Sequence, residues 1–131
     1  MQTRLKLSKN CLEAEGVLIP YDPAIITPPI AHAIKSGYFE AEEAGHIPHI
    51  VQPEDIVLDI GAGIGFISTL ISRHARRVIS VVANPALLPF MEKLHGLYGV
   101  NIAIRLNTVL GKTTGDSALV YEWGEFWMGC L

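Results

Sequence analysis

The stretch from Ile56 to Gly65 constrains this chain most, because an apolar run passes through an acid into three alternating glycines. It reads Ile-Val-Leu-Asp-Ile-Gly-Ala-Gly-Ile-Gly. Glycine has no Cβ atom, so a loop of this kind between a buried strand and a helix lets backbone approach a nucleoside ligand closely. Dinucleotide-binding turns usually read G-x-G-x-x-G, whereas this one reads D-x-G-x-G-x-G. A tight strand-to-helix turn without a ligand is the plain structural alternative.

Strand and helix patterns alternate through the rest of this region. Strands are predicted at 56–60, 78–82 and 101–109. One helix follows Gly65, and another follows Asn84-Pro85, where asparagine is a good N-cap and proline suits the first turn. This order predicts an α/β fold, a Rossmann-like three-layer α/β/α arrangement with a partial, mostly parallel sheet.

Composition bounds the possible partners and the location. Half of the 131 residues are hydrophobic and the mean hydropathy is +0.34, which indicates strands buried on both faces or a surface for a partner. A net charge of −3 gives no electrostatic support for nucleic-acid binding, so no nucleic acid is expected. Cys11 and Cys130 are isolated, and no apolar run approaches the ~18 residues of a transmembrane helix. A cytoplasmic location is therefore expected.

The glycine motif resembles motif I of the class I methyltransferases. Residues 57–66, together with Arg77-Val78 and Ala83-Asn84-Pro85, resemble the FkbM-type family over about residues 38 to 111. That resemblance implies a Rossmann-like sheet of seven strands and S-adenosylmethionine as the cofactor. It also implies methyl transfer to a hydroxyl oxygen of a small molecule or sugar.

The resemblance implies roles for residues around the predicted carboxyl edge of the sheet. Asp59 would organise the loop or take the ligand's ammonium group through water, and the glycines would admit the methionine portion and the ribose. Asn84 would lie near the adenosine. No catalytic base and no metal site are nominated, and His74 and His95 are expected at the surface or at its boundary. The predicted cofactor-binding residues are Asp59, Gly61, Ala62, Gly63, Gly65, Phe66, Val82, Ala83, Asn84, Asn107, Tyr38 and Glu40.

Two features depart from the FkbM pattern. Val82 stands where the family has a carboxylate that accepts both ribose hydroxyls, and the chain ends at Leu131 where the family continues into four further strands. The first strand of the sheet would then have an open edge, which invites pairing. This open edge is expected to be covered by the N-terminal arm, by a strand at Ala118–Trp123, or by another subunit in a homo-oligomer or partner complex. The alternative function is a shortened relative that serves as a structural or interaction subunit without catalysis.

The chain is expected to form one structural unit with two regions. Residues 1–50 are predicted as an N-terminal arm and helices, with a hairpin or extended arm over 3–20 that turns at Ser8-Lys9-Asn10. Thr27 would cap a helix that starts at Pro28-Pro29 and stops at Gly37, and a second helix would cover 40–49. Residues 51–131 are predicted as a truncated S-adenosylmethionine-binding Rossmann-like domain.

Overall fold

The structure is a computed structural model that describes residues 10–100, 103–112, 114–115, 120–121 and 129–130. The chain divides into two compact units, Met1–Ile50 and Val51–Leu131. Among the described helices, none combines the length and the apolar character needed to cross a bilayer.

An antiparallel hairpin opens the described part of the first unit. Strand β1 (Cys11–Ala14) pairs with strand β2 (Val17–Pro20) in a sheet of its own. Glu15 and Gly16 connect them with φ values of 48° and 71°, as expected for the two central residues of a type I′ hairpin turn. The predicted hairpin is therefore present, but its turn lies at Glu15-Gly16 because glycine readily adopts the positive φ. Residues 1–9, including Ser8 and Lys9 of the predicted turn, lie outside the described residues.

Two helices follow the hairpin in the described part of the first unit, close to their predicted bounds. Helix α1 (Pro28–Lys35) begins after Thr27, has proline in its first turn, and is followed by Gly37 at φ 75°. Thr27 occupies the predicted N-cap position, but its side chain makes no capping hydrogen bond. Helix α2 (Ala41–Ile50) contains Pro48 in its last turn, where only one helical hydrogen bond is lost. The proline and glycine positions thus set the helix ends much as the sequence suggested.

The second unit contains a parallel sheet of three strands in the order β3-β4-β5. The strands are β3 (Ile56–Ile60), β4 (Arg77–Val82) and β5 (Ala103–Asn107). Helix α3 (Phe66–Ile71) connects β3 to β4, and a 3₁₀ turn (Pro85–Leu87) followed by helix α4 (Leu88–Leu97) connects β4 to β5. The predicted α/β class and the parallel Rossmann-like sheet are confirmed.

The 3₁₀ turn changes the expected start of α4. The sequence predicts a helix that begins directly after Asn84, with Pro89 straining its first turn. In the structure Asn84 caps the 3₁₀ turn instead, and α4 starts at Leu88 with Pro89 among its first residues. Proline is tolerated there because its missing N–H would have no partner within the helix anyway.

One face of the sheet carries a row of polar side chains under α3 and α4. Asp59 pairs with Ser80 in register, and Ser80 pairs with Arg105, so these three residues lie side by side on one face. We call Asp59, Ser80 and Arg105 the polar row. Ser68 of α3 hydrogen-bonds to Ser80, and His95 of α4 hydrogen-bonds to Arg105, which places both helices over this face.

The opposite face is buried only along the central strand. Val81 of β4 is 3% exposed, whereas Ile56, Leu58 and Ile60 of β3 are 60%, 49% and 62% exposed. The expectation of strands buried on both faces therefore holds for β4 and fails for β3. Part of the chain's high apolar content lies on this exposed face.

A short pair of strands follows the sheet in the second unit. Strand β6 (Val120–Tyr121) pairs antiparallel with β7 (Gly129–Cys130) and forms a separate sheet. Residues 118, 119, 122 and 123 of the predicted strand lie outside the described residues. The described part of that segment therefore does not cover the edge of β3, and coverage by another subunit remains a prediction.

Substitutions at two leucines of α4 can test which face of this helix is buried. Leu94 is fully buried and Leu97 is 38% exposed. We expect Leu94→Ala to lower the free energy of unfolding by about 2–5 kcal/mol, through lost apolar burial and a residual cavity. Leu97→Ala should change it by less than about 1 kcal/mol. Urea denaturation of both variants measures the difference, and equal losses would contradict this orientation of α4.

Candidate functional site

The carboxyl ends of the three parallel strands meet at one edge of the sheet, and the glycine loop begins there. In such sheets this edge is the usual ligand site. The backbone N–H groups of Gly61 and Ala62 both donate to the Val81 carbonyl, each over 2.9 Å. The loop is thus tied to β4 where β3 ends, and it turns back through a hydrogen bond from Gly65 N to Ala62 O of 2.8 Å.

The three glycines of the loop differ in what surrounds them. All have positive φ, at 75°, 55° and 86° for Gly61, Gly63 and Gly65. A Cβ atom at Gly61 would meet nothing within 4 Å, and one at Gly63 would meet only the Gly61 carbonyl oxygen at 3.9 Å. At Gly65 it would lie 2.6 Å from Met91 Cγ and 2.9 Å from His95 Nε2. Gly61 and Gly63 therefore leave room for a ligand, whereas Gly65 serves the packing of α4.

Asp59 is held by a chain of hydrogen bonds from two buried serines. Ser80 Oγ donates to Ser68 Oγ over 2.7 Å, and Ser68 Oγ donates to Asp59 Oδ2 over 2.5 Å. Burial raises the pKa of Asp59, and the hydrogen bond from Ser68 opposes that rise. Neither serine could be assigned this role from the sequence, because only the strand register and the helix packing bring them to Asp59.

Two asparagines shape the edge through bonds to backbone. Asn84 Oδ1 accepts from Ala86 N over 2.9 Å and caps the 3₁₀ turn. Asn107 Nδ2 donates to the carbonyls of Val82 and Ala83, each over 2.9 Å. Both predicted site residues thus lie at the carboxyl edge of the sheet, and the Asn107 side chain joins the ends of β4 and β5.

The remaining predicted residues contribute mainly backbone or packing. Ala62, Phe66 and Val82 are 4%, 0% and 3% exposed, so their side chains belong to the core. Val82, where the FkbM pattern expects a carboxylate, lies on the same face as Ser80. Tyr38 and Glu40 belong to the first unit, and their role as ligand contacts stays a prediction.

His95 is a buried polar residue, so the expectation that it lies at the surface or its boundary is wrong. It is 1% exposed, and Arg105 Nη1 lies 3.3 Å from its Nδ1 atom. Burial and then the positive charge of Arg105 lower the pKa of His95 to about 4, while the backbone of Gly65 opposes this shift. The ring is therefore neutral at physiological pH. Its sequence signal is weak, since a lone histidine in an apolar helix pattern does not reveal its neighbours.

Among the described residues there is no group of three or more His, Cys, Asp or Glu side chains that could hold a metal ion. The polar groups described around the glycine loop are the Asp59 carboxylate, serine hydroxyls, asparagine amides, the His95 ring and backbone. A carboxylate beside open glycine backbone suits a ligand with a positive charge and hydrogen-bonding groups.

No protein-family model matches the chain. In sequence it is similar to the probable ribosomal RNA small subunit methyltransferase A of Methanosarcina mazei, with 41% identity over 67 residues that cover 45% of this chain and 25% of that protein. The Methanosarcina barkeri protein of the same name is 33% identical over 101 residues, 71% of this chain and 32% of that protein. The chain is related to the class I methyltransferases. It spans about a quarter to a third of the length of these curated relatives.

Solved structures show the same fold. Trm5b from Pyrococcus abyssi superposes with a TM-score of 0.58 at 22% identity, covering 75% of this chain and 27% of that one. PH0793 from Pyrococcus horikoshii gives 0.55 at 22% identity, covering 72% and 34%. These similarities support the Rossmann-like α/β fold.

The comparisons correct two expectations. The class I methyltransferase resemblance holds and supports S-adenosylmethionine as the cofactor, but the relatives are named as probable ribosomal RNA methyltransferases and do not support the FkbM family specifically. The expectation of a small-molecule acceptor and no nucleic acid is wrong, because the names of these relatives specify ribosomal RNA. The error arose because net charge describes the whole chain and does not report on a local surface.

The different surroundings of the glycines predict different effects of alanine. Gly61→Ala should lower the free energy of unfolding by about 1–2 kcal/mol, the cost of a left-handed conformation. Gly65→Ala should cost about 1–3 kcal/mol more, because its Cβ would overlap Met91 and His95. Thermal and urea unfolding of both variants test this, and equal losses would contradict the packing of Gly65 against α4.

The raised pKa of Asp59 predicts a stabilising substitution. Because the folded state holds this proton more tightly than the unfolded state, ionised Asp59 destabilises the fold as pH rises above the ordinary value of 3.8. Asp59→Asn should therefore raise the free energy of unfolding at neutral pH and flatten its pH dependence. Ser68→Ala, which removes the opposing hydrogen bond, should steepen the same dependence. A less stable Asp59→Asn protein at neutral pH would contradict this.

Proposed function

We propose that this chain forms the cofactor-binding part of an S-adenosylmethionine-dependent methyltransferase that acts on RNA. The observation that carries the proposal is the glycine loop, which is open at Gly61 and Gly63 beside the Asp59 carboxylate. This loop lies at the carboxyl edge of a sheet with the methyltransferase fold. Similarity to ribosomal RNA methyltransferases supports both the chemistry and the acceptor.

The residues at the loop fit the proposed cofactor. The missing side chains at Gly61 and Gly63 leave backbone accessible to the methionine portion and the ribose, and Asp59 offers a negative charge to the ammonium group. When bound, S-adenosylmethionine supplies a methyl group on a positively charged sulfur. The chain's own contribution is then to hold and orient that group, because methyl transfer depends mainly on proximity and alignment.

Val82 sets an upper limit on the expected affinity. A carboxylate at this position would accept charge-assisted hydrogen bonds from ribose hydroxyls, and each is worth about 1.5–3 kcal/mol. The buried valine offers none of them. We therefore expect dissociation constants at least about tenfold weaker than in a site with that carboxylate, in the micromolar range. The same observation favours the second candidate function, a relative without catalysis that serves as a structural or interaction subunit.

An RNA acceptor is compatible with the charge of the chain. RNA binding depends on local contacts between cations and phosphates rather than on net charge. Arg73, Arg76 and Arg77 are exposed and follow α3 closely in sequence. They supply local positive charge on a chain whose formal net charge is −3. RNA therefore replaces the small-molecule acceptor in the proposal.

Calorimetric titration with S-adenosylmethionine and S-adenosylhomocysteine tests the cofactor site. We expect micromolar binding of both by the unaltered chain. Asp59→Asn should weaken it about tenfold, the loss of one charged interaction worth about 1.4 kcal/mol. Asp22→Asn, on the first unit, is the matched control and should bind normally. Absence of binding by the unaltered chain would refute the cofactor proposal.

Transfer of a labelled methyl group tests the acceptor. Small-subunit ribosomal RNA should accept label when incubated with the protein and S-adenosylmethionine, and large-subunit RNA and sugars serve as comparisons. Cofactor binding without transfer to any RNA would favour the structural or interaction subunit over the enzyme.

A further inference from the structure

His95 carries one polar atom whose role the proposed cofactor site does not explain. Nε2 of His95 is buried and makes no hydrogen bond of good geometry within the described residues, although the Gly65 backbone lies near enough to the ring to raise its pKa. Burying a donor without a well-formed hydrogen bond costs free energy, so native proteins seldom retain one without a reason. We propose that His95, oriented by Arg105, is a positioning residue that supports Gly65 and thereby holds the glycine loop in its ligand-binding form. Its effect on cofactor affinity rests on the function proposed above.

Arg105 determines which nitrogen of the ring carries the proton. A guanidinium group only donates hydrogen bonds, so the contact of 3.3 Å between Arg105 Nη1 and His95 Nδ1 requires Nδ1 to accept. A neutral ring then carries its proton on Nε2. The lowered pKa, about 4, agrees with a neutral ring at physiological pH. Arg105 thus presents Nε2–H toward the loop.

Nε2 faces the third glycine of the loop. It lies 2.9 Å from the position that a Cβ atom at Gly65 would occupy, and no larger residue fits there without displacement. The Gly65 carbonyl already accepts from the Thr69 amide over 3.0 Å and from Thr69 Oγ1 over 2.7 Å. The ring therefore supports Gly65 by direct contact, next to a carbonyl whose bonds begin helix α3.

The position of Gly65 affects the open part of the loop, Gly61 and Gly63, through backbone hydrogen bonds. It has a left-handed conformation at φ 86° and precedes α3 without a side-chain cap, so local sequence contributes little to its placement. Its N–H donates to Ala62 O, and the Ala62 N–H donates to Val81 O. A shift of Gly65 would therefore move Ala62 and the flanking Gly61 and Gly63, which form the open backbone of the site.

Arg105 connects the His95 ring to the sheet, so the position of the ring does not depend on another loop. Arg105 belongs to the polar row, beside Ser80 and on the same face as Asp59. Ser80, in the middle of the row, is linked to Asp59 through Ser68, and Arg105, at the far end, contacts His95, which lies against Gly65. Both chemical components of the proposed site, the carboxylate and the glycine backbone, thus take their positions from one row of residues.

Substitutions at His95 and Arg105 separate positioning from packing. His95→Leu fills similar volume without a polar atom, and His95→Gln retains an amide N–H at about the place of Nε2. Arg105→Met removes the donor to Nδ1 but keeps an apolar chain of similar length. His74→Leu, at a half-buried histidine after α3, is the matched control. Three quantities are measured: the dissociation constant for S-adenosylmethionine, amide hydrogen exchange at Gly65 and Thr69, and global unfolding.

We expect His95→Leu and Arg105→Met to raise the dissociation constant about tenfold, equivalent to about 1.4 kcal/mol. Amide exchange at Gly65 and Thr69 should accelerate in both variants, while the global unfolding midpoint of His95→Leu stays close to that of the unaltered chain. His95→Gln should recover most of the affinity, and His74→Leu should retain all of it. Unaltered affinity and exchange in His95→Leu would overturn the proposal. If His95→Leu does not fold, the same comparison between His95→Gln and Arg105→Met decides.

Two readouts separate this inference from the proposed function. Nitrogen-15 NMR of the unaltered chain should show the proton of His95 on Nε2, and a proton on Nδ1 would overturn the role of Arg105. Amide exchange needs no ligand. If the unaltered chain fails to bind S-adenosylmethionine, the proposed function falls, and the exchange rates alone decide whether His95 supports the loop.

Discussion

The central strand β4 is the element on which the described part of the second unit depends. It pairs in parallel with β3 on one side and β5 on the other, so all three strands end at one edge. Its Val81 carbonyl also receives the first two N–H groups of the glycine loop. Parallel pairing therefore sets both the shape of the sheet and the start of the loop. A shift of β4 would therefore displace the glycine loop and the 3₁₀ turn that Asn84 caps. It would also displace the Val82 and Ala83 carbonyls that accept hydrogen bonds from Asn107.

Polar groups buried beneath α3 and α4 add specificity to this arrangement. Burying a polar side chain costs free energy unless it is hydrogen-bonded, so each helix is favoured where its polar residue meets its partner on the sheet. Ser68 meets Ser80 and Asp59, and His95 meets Arg105. The glycine loop runs between these contacts. Its geometry is thus controlled from both sides, and Asp59 acquires an environment that raises its pKa.

Local patterns predicted much of the fold. The bounds of β3 follow from the apolar run and the glycines after it, and α1 follows from the prolines and Gly37. The start of α4 was misjudged because Asn84 and Pro85 suit a 3₁₀ turn as well as an α-helix. The nucleic-acid expectation failed for another reason, since a net charge sums over residues whose positions on the surface the sequence does not provide.

The candidate site was predicted less completely, because its residues act through contacts distant in sequence. Asp59, Gly61 and Gly63 could be proposed from the loop pattern alone, since an acid and glycines have the same chemistry wherever the chain places them. Strand register and helix packing determine the contributions of four other residues, Ser68, Ser80, His95 and Arg105. The spacing of residues along the sequence does not reveal that register or packing.

By itself, the sequence determined the order of strand, glycine loop and helix, because positive φ at glycine, proline in a first turn and apolar periodicity depend on each residue and its near neighbours. Only the tertiary structure decided which glycines face open space and which one packs against Met91 and His95. It also decided that Asp59, Ser80 and Arg105 share one row. These outcomes depend on how separate strands align and on which side chains compete for the same volume, and both are properties of the assembled chain.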